Sequence, residues 1–433
     1  MNILVTGASG FIASQVVADL LASGHNVTCC VRNVSYTKTI FPQATVIPCN
    51  FHKDISQDDW IPRLKNIDVV INCVGILYHP NKNIIWAVHY NTPKALFAAC
   101  VTAGVKKIIQ ISALGVDKLQ VDYAKSKKAT EEYLQTLPIP SIVLRPSLVY
   151  GRGSYAGTSL FRGLAGGLPF IIPIPGKGNQ TFQPIHVQDL SRAILILVNT
   201  PVSKNLILSS VCEKRINLRE ILTHLRAWLG VSSARLLFIP LFVIRIAAFF
   251  GDIIPYSALN SSAFKMLKEN NVADDVEMKK FQEIIQFQPK NFIEGVNSQP
   301  STVQDHWHAK LFMLKPLLQV SIGFIWLWSG ICGALLYPKS NSFEWLSQIG
   351  IQSSWQPFAV YGVSAVNALL GLATLCAYQI KKISVIQLAI ILLYTIFITL
   401  KLPSSWLVPF GSLAKNIPLL VATLMFMALE SDR

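Results

Sequence analysis

Three side chains in the N-terminal half have the types and spacing of a proton-transfer site. Ser112 closes the apolar stretch 107–112, and Tyr123 and Lys127 follow, four residues apart. On a helix that spacing puts a phenol and an ammonium on one face. A neighbouring cation favours the phenolate, so Lys127 is expected to bring the Tyr123 phenol below its usual value of about 10. Tyr123 would then give a proton to a carbonyl being reduced, or take one from an alcohol being oxidised, while Ser112 holds the oxygen by a hydrogen bond. A second constellation opens the chain. Residues 6–10 read TGASG (Thr6, Gly7, Ser9 and Gly10 with Ala8 between), followed by Phe11, Ile12 and Ala13. Glycines here permit a tight turn and let backbone N–H groups approach a pyrophosphate at a helix N-terminus. Arg32 stands where an NAD site would carry a carboxylate for the ribose 2′-hydroxyl. A guanidinium there suits a 2′-phosphate, so NADP is expected ahead of NAD.

These groups need a scaffold that brings them together. Apolar stretches at 2–6, 26–31, 45–48, 69–74, 107–112 and 141–145 alternate with helical patterns such as 13–23 and 93–103. The alternation predicts an α/β fold, a Rossmann-type doubly wound parallel sheet with its ligand at the strand C-termini. From 151 to 300 the pattern loosens, with glycine and proline over 163–178 and polar linkers near 272–300, as a small substrate-covering region would require. The run 236–254 is strongly apolar but carries Arg245 and is bounded by Gly251, Asp252 and Pro255. It reads as a buried or interface-lying helix in preference to a membrane span.

Of 433 residues, 52% are hydrophobic and 14% charged, which is too apolar for a soluble globular chain. The excess lies in the runs 316–336, 358–380 and 383–400, each free of acidic and basic side chains and long enough to span a bilayer. A fourth run, 417–429, becomes marginally long enough if it starts near Ala414. An all-α transmembrane four-helix domain is therefore expected over 301–433. Trp326, Trp328, Trp345, Trp355 and Trp406 fall in or around these runs, partly as an interfacial belt would place them. Net charge is +15 without any block of consecutive Lys or Arg. That argues for anionic lipid headgroups and against nucleic acid. The eight cysteines form no C-x-x-C and no paired framework, which fits a reducing compartment, and no metal site is expected. Cys29 and Cys30 are adjacent in a predicted strand and should face opposite sides. The first strand starts at residue 2, leaving no cleavable signal. Lys310, Lys315, Lys381, Lys382 and Arg433 outnumber Lys339, Lys401 and Lys415 on the other side. This predicts a multi-pass protein of the inner (plasma) membrane with its nucleotide-binding domain in the cytoplasm.

The first 300 residues resemble the short-chain dehydrogenase/reductase superfamily in its extended or atypical branch, near the subgroup of the NADPH-binding accessory subunit of respiratory complex I. The matching stretches are TGASG at 6–10, ISALG at 111–115, YAKSK at 123–127, LRPSLVYG at 144–151 and QPIHVQD at 183–189. The resemblance implies Tyr123 as acid/base, Lys127 also binding the nicotinamide ribose, and Ser112 orienting substrate, with Gly7, Gly10 and Arg32 on the cofactor. It also implies that Asn91 braces the site, with a helix cap before Pro93 as the other role open to it, and that His186 and Asp189 pack the substrate region. Asn50 stands where the family often has Asp at the end of the third strand. The C-terminal part resembles the DoxX-like four-helix membrane domain through KPLL at 315–318, WSG at 328–330 and PFGSLAKNIP at 409–418.

Together these features predict an NAD(P)-binding domain at 1–300, its covering region mainly 151–300, and a transmembrane domain at 301–433. The expected activity is a membrane-anchored, NADP-preferring oxidoreductase acting on a carbonyl or alcohol of a lipid-like or quinone-related substrate. The alternatives are a sugar-nucleotide epimerase or dehydratase with bound NAD, and a non-catalytic NADPH-binding scaffold of a membrane redox complex.

Overall fold

A computed structural model describes residues 1–154, 157–252, 259–407 and 413–430. The chain divides into two units, Met1–Lys310 and Leu311–Arg433.

In the first unit, seven strands form one sheet: β1 Asn2–Thr6, β2 Asn26–Val31, β3 Thr45–Pro48, β4 Val69–Asn72, β5 Lys107–Ile111, β6 Ser141–Pro146 and β7 Leu206–Ser210. Their order is β7-β6-β5-β4-β1-β2-β3, and every pairing is parallel. The sheet is covered on both faces, so its strands carry continuous apolar runs. Ile3, Val5, Cys29 and Ile71 face one core; Leu4, Cys30 and Val70 face the other. The adjacent cysteines do point to opposite sides. All eight are free thiols.

Helix α1, Phe11–Ala22, follows β1 and begins two residues earlier than the apolar pattern suggested, because Gly10 is its N-cap. Helices α2, Thr92–Thr102, and α3, Asp122–Thr136, belong to the opposite face, where Leu96, Phe97 and Leu134 are fully buried. Helix α4, Val187–Asn199, packs beside α1. Strand β4 stops at Asn72, short of the expected 74, and the Asn72 side chain bonds Thr6 and Gln110 on the neighbouring strands. Strand β7 was not anticipated.

In the covering region, strand Arg235–Ile239 pairs in parallel with strand Ile171–Pro175. It leads into α5, Leu241–Gly251, which packs against α6, Ser261–Lys268. Most of α5 is exposed, so the buried alternative for run 236–254 does not hold; residues 253–254 lie outside the described residues.

The division between the units falls inside α7, Val303–Ile331, which contains Pro316. In the second unit follow α8, Gln356–Leu375, α9, Ile380–Lys401, and α10, Asn416–Ala428. Among the described residues three helices are long and apolar enough to cross a bilayer, spanning Val303–Leu336, Gln356–Leu375 and Ile380–Lys401. The expected fourth span is corrected: α10 has 13 residues, a rise of about 20 Å against a hydrocarbon core of about 30 Å. The run 358–380 also breaks earlier than expected, at Ala377 and Gln379, both with positive φ. Gln319 donates to the Thr374 carbonyl and Gln387 to the Thr374 hydroxyl, each at 2.9 Å, as interhelical bonds in an apolar setting do. Lys315 pairs with Glu430 at 2.8 Å. The 409–418 motif lies partly outside the described residues.

Candidate active site

The strand order reverses between β1 and β4, and there a cleft opens at the strand C-termini. It holds a cavity of about 520 Å³, within the range of ligand sites. Gly7, Ser9, Gly10, Phe11, Ile12 and Arg32 line one part of it; Ser112, Tyr123 and Lys127 line another.

The turn after β1 suits a dinucleotide. Gly7 has φ +68°, and a Cβ there would sit 2.9 Å from Val74 Cγ2. Gly10 N–H donates to the Gly7 carbonyl at 2.8 Å and closes the turn. The α1 N-cap receives no side-chain hydrogen bond, and no acid occupies the first turn. The first amides of α1 therefore present unpaired donors and positive potential to an anion. Arg32, exposed at the end of β2, makes no ion pair among the described residues and lies near enough to His52 to lower its pKa, after burial. Asn50 does not reach the cavity: its side chain accepts from His52 N–H at 2.9 Å, and Phe51 and His52 line the wall instead.

Thr6 is the cofactor candidate that does not line the cavity. Its hydroxyl is buried and donates to Asn72 Oδ1 at 2.6 Å. Asn72 Nδ2 donates to Gln110 Oε1 at 2.7 Å, and Gln110 Nε2 to the Ile111 carbonyl at 2.9 Å. Lys127 Nζ donates to that same carbonyl at 3.0 Å. A buried polar chain thus runs from the end of β1 across β4 and β5 to Lys127.

Ser112 follows β5 directly, its N–H bonded to the Leu144 carbonyl at 2.8 Å. Its hydroxyl is buried without a partner, in a residue that lines the cavity, as a group awaiting a ligand oxygen would be. Tyr123 and Lys127 stand on one face of α3 as the spacing predicted, with Lys127 Nζ 5.6 Å from the Tyr123 ring centre. The expected electrostatics need correction. Burial pushes the Tyr123 phenol up to about 12 and the Lys127 ammonium down to about 8. Desolvation penalises both charged forms and outweighs the attraction at this separation. The charged lysine keeps some support from Glu131, which Arg145 Nε contacts at 3.1 Å through both carboxylate oxygens. Tyr123 is consequently a protonated donor at neutral pH.

Asn91 is exposed, its side chain makes no cap, and it lies in a π-helical turn, Ala87–Asn91, that interrupts the approach to α2. The bracing contacts come from His89 instead. Its ring meets Tyr123 edge to face at 5.3 Å, Nε2 accepts from Ile76 N–H at 3.1 Å, and Nδ1 lies 3.0 Å from Ser126 Oγ. Since Nε2 accepts, Nδ1 carries the proton, and burial holds the ring neutral with its pKa well below the usual value. Sequence reasoning missed His89; a lone histidine beside buried Val88 was the available signal. His186 caps α4 through Nδ1, and Asp189 accepts from Lys290 N–H at 2.9 Å, both packing roles.

Residues 3–207 match the NAD dependent epimerase/dehydratase family, and residues 323–424 match the DoxX-like family. Among curated proteins, the NADH dehydrogenase [ubiquinone] 1 alpha subcomplex subunit 9 of Rattus norvegicus is 26% identical over 209 residues, covering 46% of this chain and 53% of its own. The ceramide reductase of Caulobacter vibrioides is 24% identical over 206 residues, covering 46% and 62%. The photosystem II assembly factor Ycf39 of Synechocystis is 29% identical over 149 residues, covering 34% and 44%. The chain spans about half the length of the curated relatives it matches. Among solved structures, MoeE5 in complex with UDP-glucose and NAD aligns with TM-score 0.52 at 20% identity, over 69% of this chain and 97% of that one. The epimerase Mth375 of Methanothermobacter thermautotrophicus aligns with TM-score 0.56 at 15% identity, over 72% and 93%. These likenesses establish the fold.

Proposed function

We propose that this chain, a Rossmann domain of the NAD-dependent epimerase/dehydratase type joined to a DoxX-like membrane domain, is a membrane-anchored NADPH-dependent reductase of a lipid-like carbonyl compound. One observation carries the reading. The unpartnered Ser112 hydroxyl and the protonated Tyr123 phenol belong to residues of one cavity, whose lining combines apolar Leu160, Phe161, Leu259, Ala263, Met266 and Leu267 with polar Lys118, Thr158, Glu269 and Asn270. The apolar side chains among that lining favour a substrate with a hydrocarbon part. The relative named ceramide reductase supports a lipid carbonyl as substrate class.

The dinucleotide, when bound, supplies the hydride. The α1 amides and the Gly7 turn would hold its pyrophosphate, and Arg32 a 2′-phosphate. Ser112 donates to the substrate carbonyl oxygen and fixes it beside Tyr123. Tyr123 gives that oxygen its proton as negative charge develops, and the Lys127 ammonium stabilises the phenolate left behind. His89 holds the tyrosine ring in place.

The test is deuterium transfer. Detergent-purified protein is incubated with both stereoisomers of 4-deuterated NADPH and a lipid extract of its own membranes. Label entering a lipid with the parent protein and not with Tyr123→Phe is expected. The family match over residues 3–207 favours a second reading, an epimerase or dehydratase cycling a retained NAD. NAD co-purifying with the protein, with no consumption of added NADPH, would decide for it. The relatives named as a respiratory subunit and an assembly factor favour a scaffold, for which Tyr123→Phe would leave the membrane phenotype intact.

A further inference from the structure

Helix α5 is a short apolar helix that the protein leaves uncovered. Phe242 is 66% exposed, Ile246 55%, Phe249 65% and Phe250 61%. The strand before it adds exposed Leu237 and Phe238. Phe170, exposed as well, adjoins that strand through its carbonyl, which accepts from Arg235 N–H at 3.0 Å. These exposed apolar side chains lie on elements that are consecutive or hydrogen-bonded to one another, from Phe170 through α5. Scattered exposed apolar residues are ordinary; a ridge of large aromatic side chains on consecutive elements marks a contact surface.

Basic side chains border the ridge. Arg245 is exposed within α5, Arg235 is exposed at the start of the strand, and Lys265 and Lys268 are exposed on the adjacent α6. Asp252, at the end of α5, is engaged, since its carboxylate accepts from Ser261 N–H, the first of α6, at 2.8 Å. Phenylalanine flanked by arginine and lysine is the composition of helices that lie in the headgroup region of anionic bilayers, where Arg245 can reach outward along its methylene stem. At 11 residues α5 rises about 16 Å, too short to cross a hydrocarbon core of about 30 Å and long enough to lie along its surface. The chain also carries three helices able to cross a bilayer, so a bilayer is always within tether range of the first unit.

We propose that α5 and the Leu237–Phe238 edge insert into the membrane interface, held by their aromatic side chains and by attraction of the bordering cations to anionic headgroups. The active cavity shares this surface. Helix α6, packed on α5, contributes Ala263, Met266 and Leu267 to the cavity wall. Tyr78, next to the lining residues Ile76 and Leu77, donates to the Asp252 carbonyl at 2.8 Å. The elements that touch the acyl region are thus bonded to those that line the cavity, and an apolar molecule can leave the lipid phase along α6 without crossing water. The insertion itself is independent of the hydride chemistry.

The test places a photoreactive side chain on the full-length protein in vesicles of three parts phosphatidylcholine to one part phosphatidylglycerol. Three single variants are made: Phe242→benzoylphenylalanine, Phe249→benzoylphenylalanine and, as an exposed control on the first unit, Lys204→benzoylphenylalanine. The first two replace one large aromatic by another, so the fold is retained. After illumination, mass spectrometry identifies what each position captured. Phospholipid adducts at 242 and 249, at least about tenfold above the yield at 204, are expected. Adducts at 242 and 249 to a second copy of this chain, adducts to its own helices within 311–430, or lipid yields equal to those at 204 would each overturn the proposal.

Discussion

Replacing Ser112 by Ala should make the protein more stable and less active at once. Ser112 is 3% exposed, and its buried hydroxyl has no hydrogen-bond partner. An unsatisfied buried polar group costs about 1–3 kcal/mol. Alanine removes that cost and forfeits only the packing of one oxygen atom, so the net gain in stability should be about 1 kcal/mol. For a unit of this size that corresponds to a rise in Tm of about 2 °C. Catalysis should move the other way. A hydrogen bond aimed at an oxygen that gains charge in the transition state is worth about 3–4 kcal/mol, or a 10²–10³-fold loss in turnover. Calorimetry of the full chain in detergent gives the first quantity, and deuteride transfer to membrane lipid gives the second. Thr6→Val is the internal comparison. It removes a 2.6 Å bond and leaves Asn72 Oδ1 with only a 3.4 Å contact from Val74 N–H, so Tm should fall by a few degrees, about 1–2 kcal/mol. If Ser112→Ala melted clearly below the parent while transfer rates stayed level, the hydroxyl would be a structural group and the argument for a substrate hydrogen bond would be wrong.

Other predictions concern the same cleft. Gly7→Ala combines positive φ with a Cβ 2.9 Å from Val74, so it should cost about 1–3 kcal/mol and abolish dinucleotide binding measured by calorimetry. Arg32→Asp should reverse the ratio of NADPH to NADH affinities, about tenfold or more in favour of NADH; an unchanged ratio would remove Arg32 from the cofactor site. Lys127 has its folded pKa lowered to about 8 from an ordinary 10.5, so it loses its proton as pH rises through about 8. Reduction should decline above that pH, while the Tyr123 phenol, near 12, stays protonated throughout; a flat profile from pH 7 to 10 would contradict the role of the ammonium. Between about 8 and 10.5 the unfolded chain binds the extra proton, so this group's contribution to stability grows with pH over that window.

How legible all this was depends on how local each determinant is. Strands β1, β2 and β3 were readable to the residue because short apolar runs end in turn-forming residues such as Gly7 and Gly24. The Tyr123–Lys127 pair was readable because helical spacing alone puts the two on one face. Their protonation was not: spacing says that the charges are close, and only the packed fold says how much water they lose. His89 escaped notice because its partners Ile76, Tyr123 and Ser126 lie 13 to 37 residues away, while Asn91, implied by the family resemblance, lies at the exposed end of a π-helical turn. The fourth apolar run was misjudged because composition marks apolar length, whereas the observed start at Asn416 fixes the helix at 13 residues. Exposure of α5 was likewise invisible, since an apolar run reads the same whether protein or lipid covers it.

The chain of side chains from Thr6 to Lys127 has a polarity of its own. Each link donates in the same sense, hydroxyl to amide, amide to amide, amide to carbonyl, until the Ile111 oxygen receives both Gln110 and Lys127. Aligned dipoles in a dry interior polarise one another, so the last oxygen is more electron-rich than an isolated carbonyl. The chain thus ends on the oxygen that is also the ammonium's own partner. Asn72→Asp, which removes the Nδ2 donor, would break the alignment in the middle and uncouple the end of β1 from Lys127.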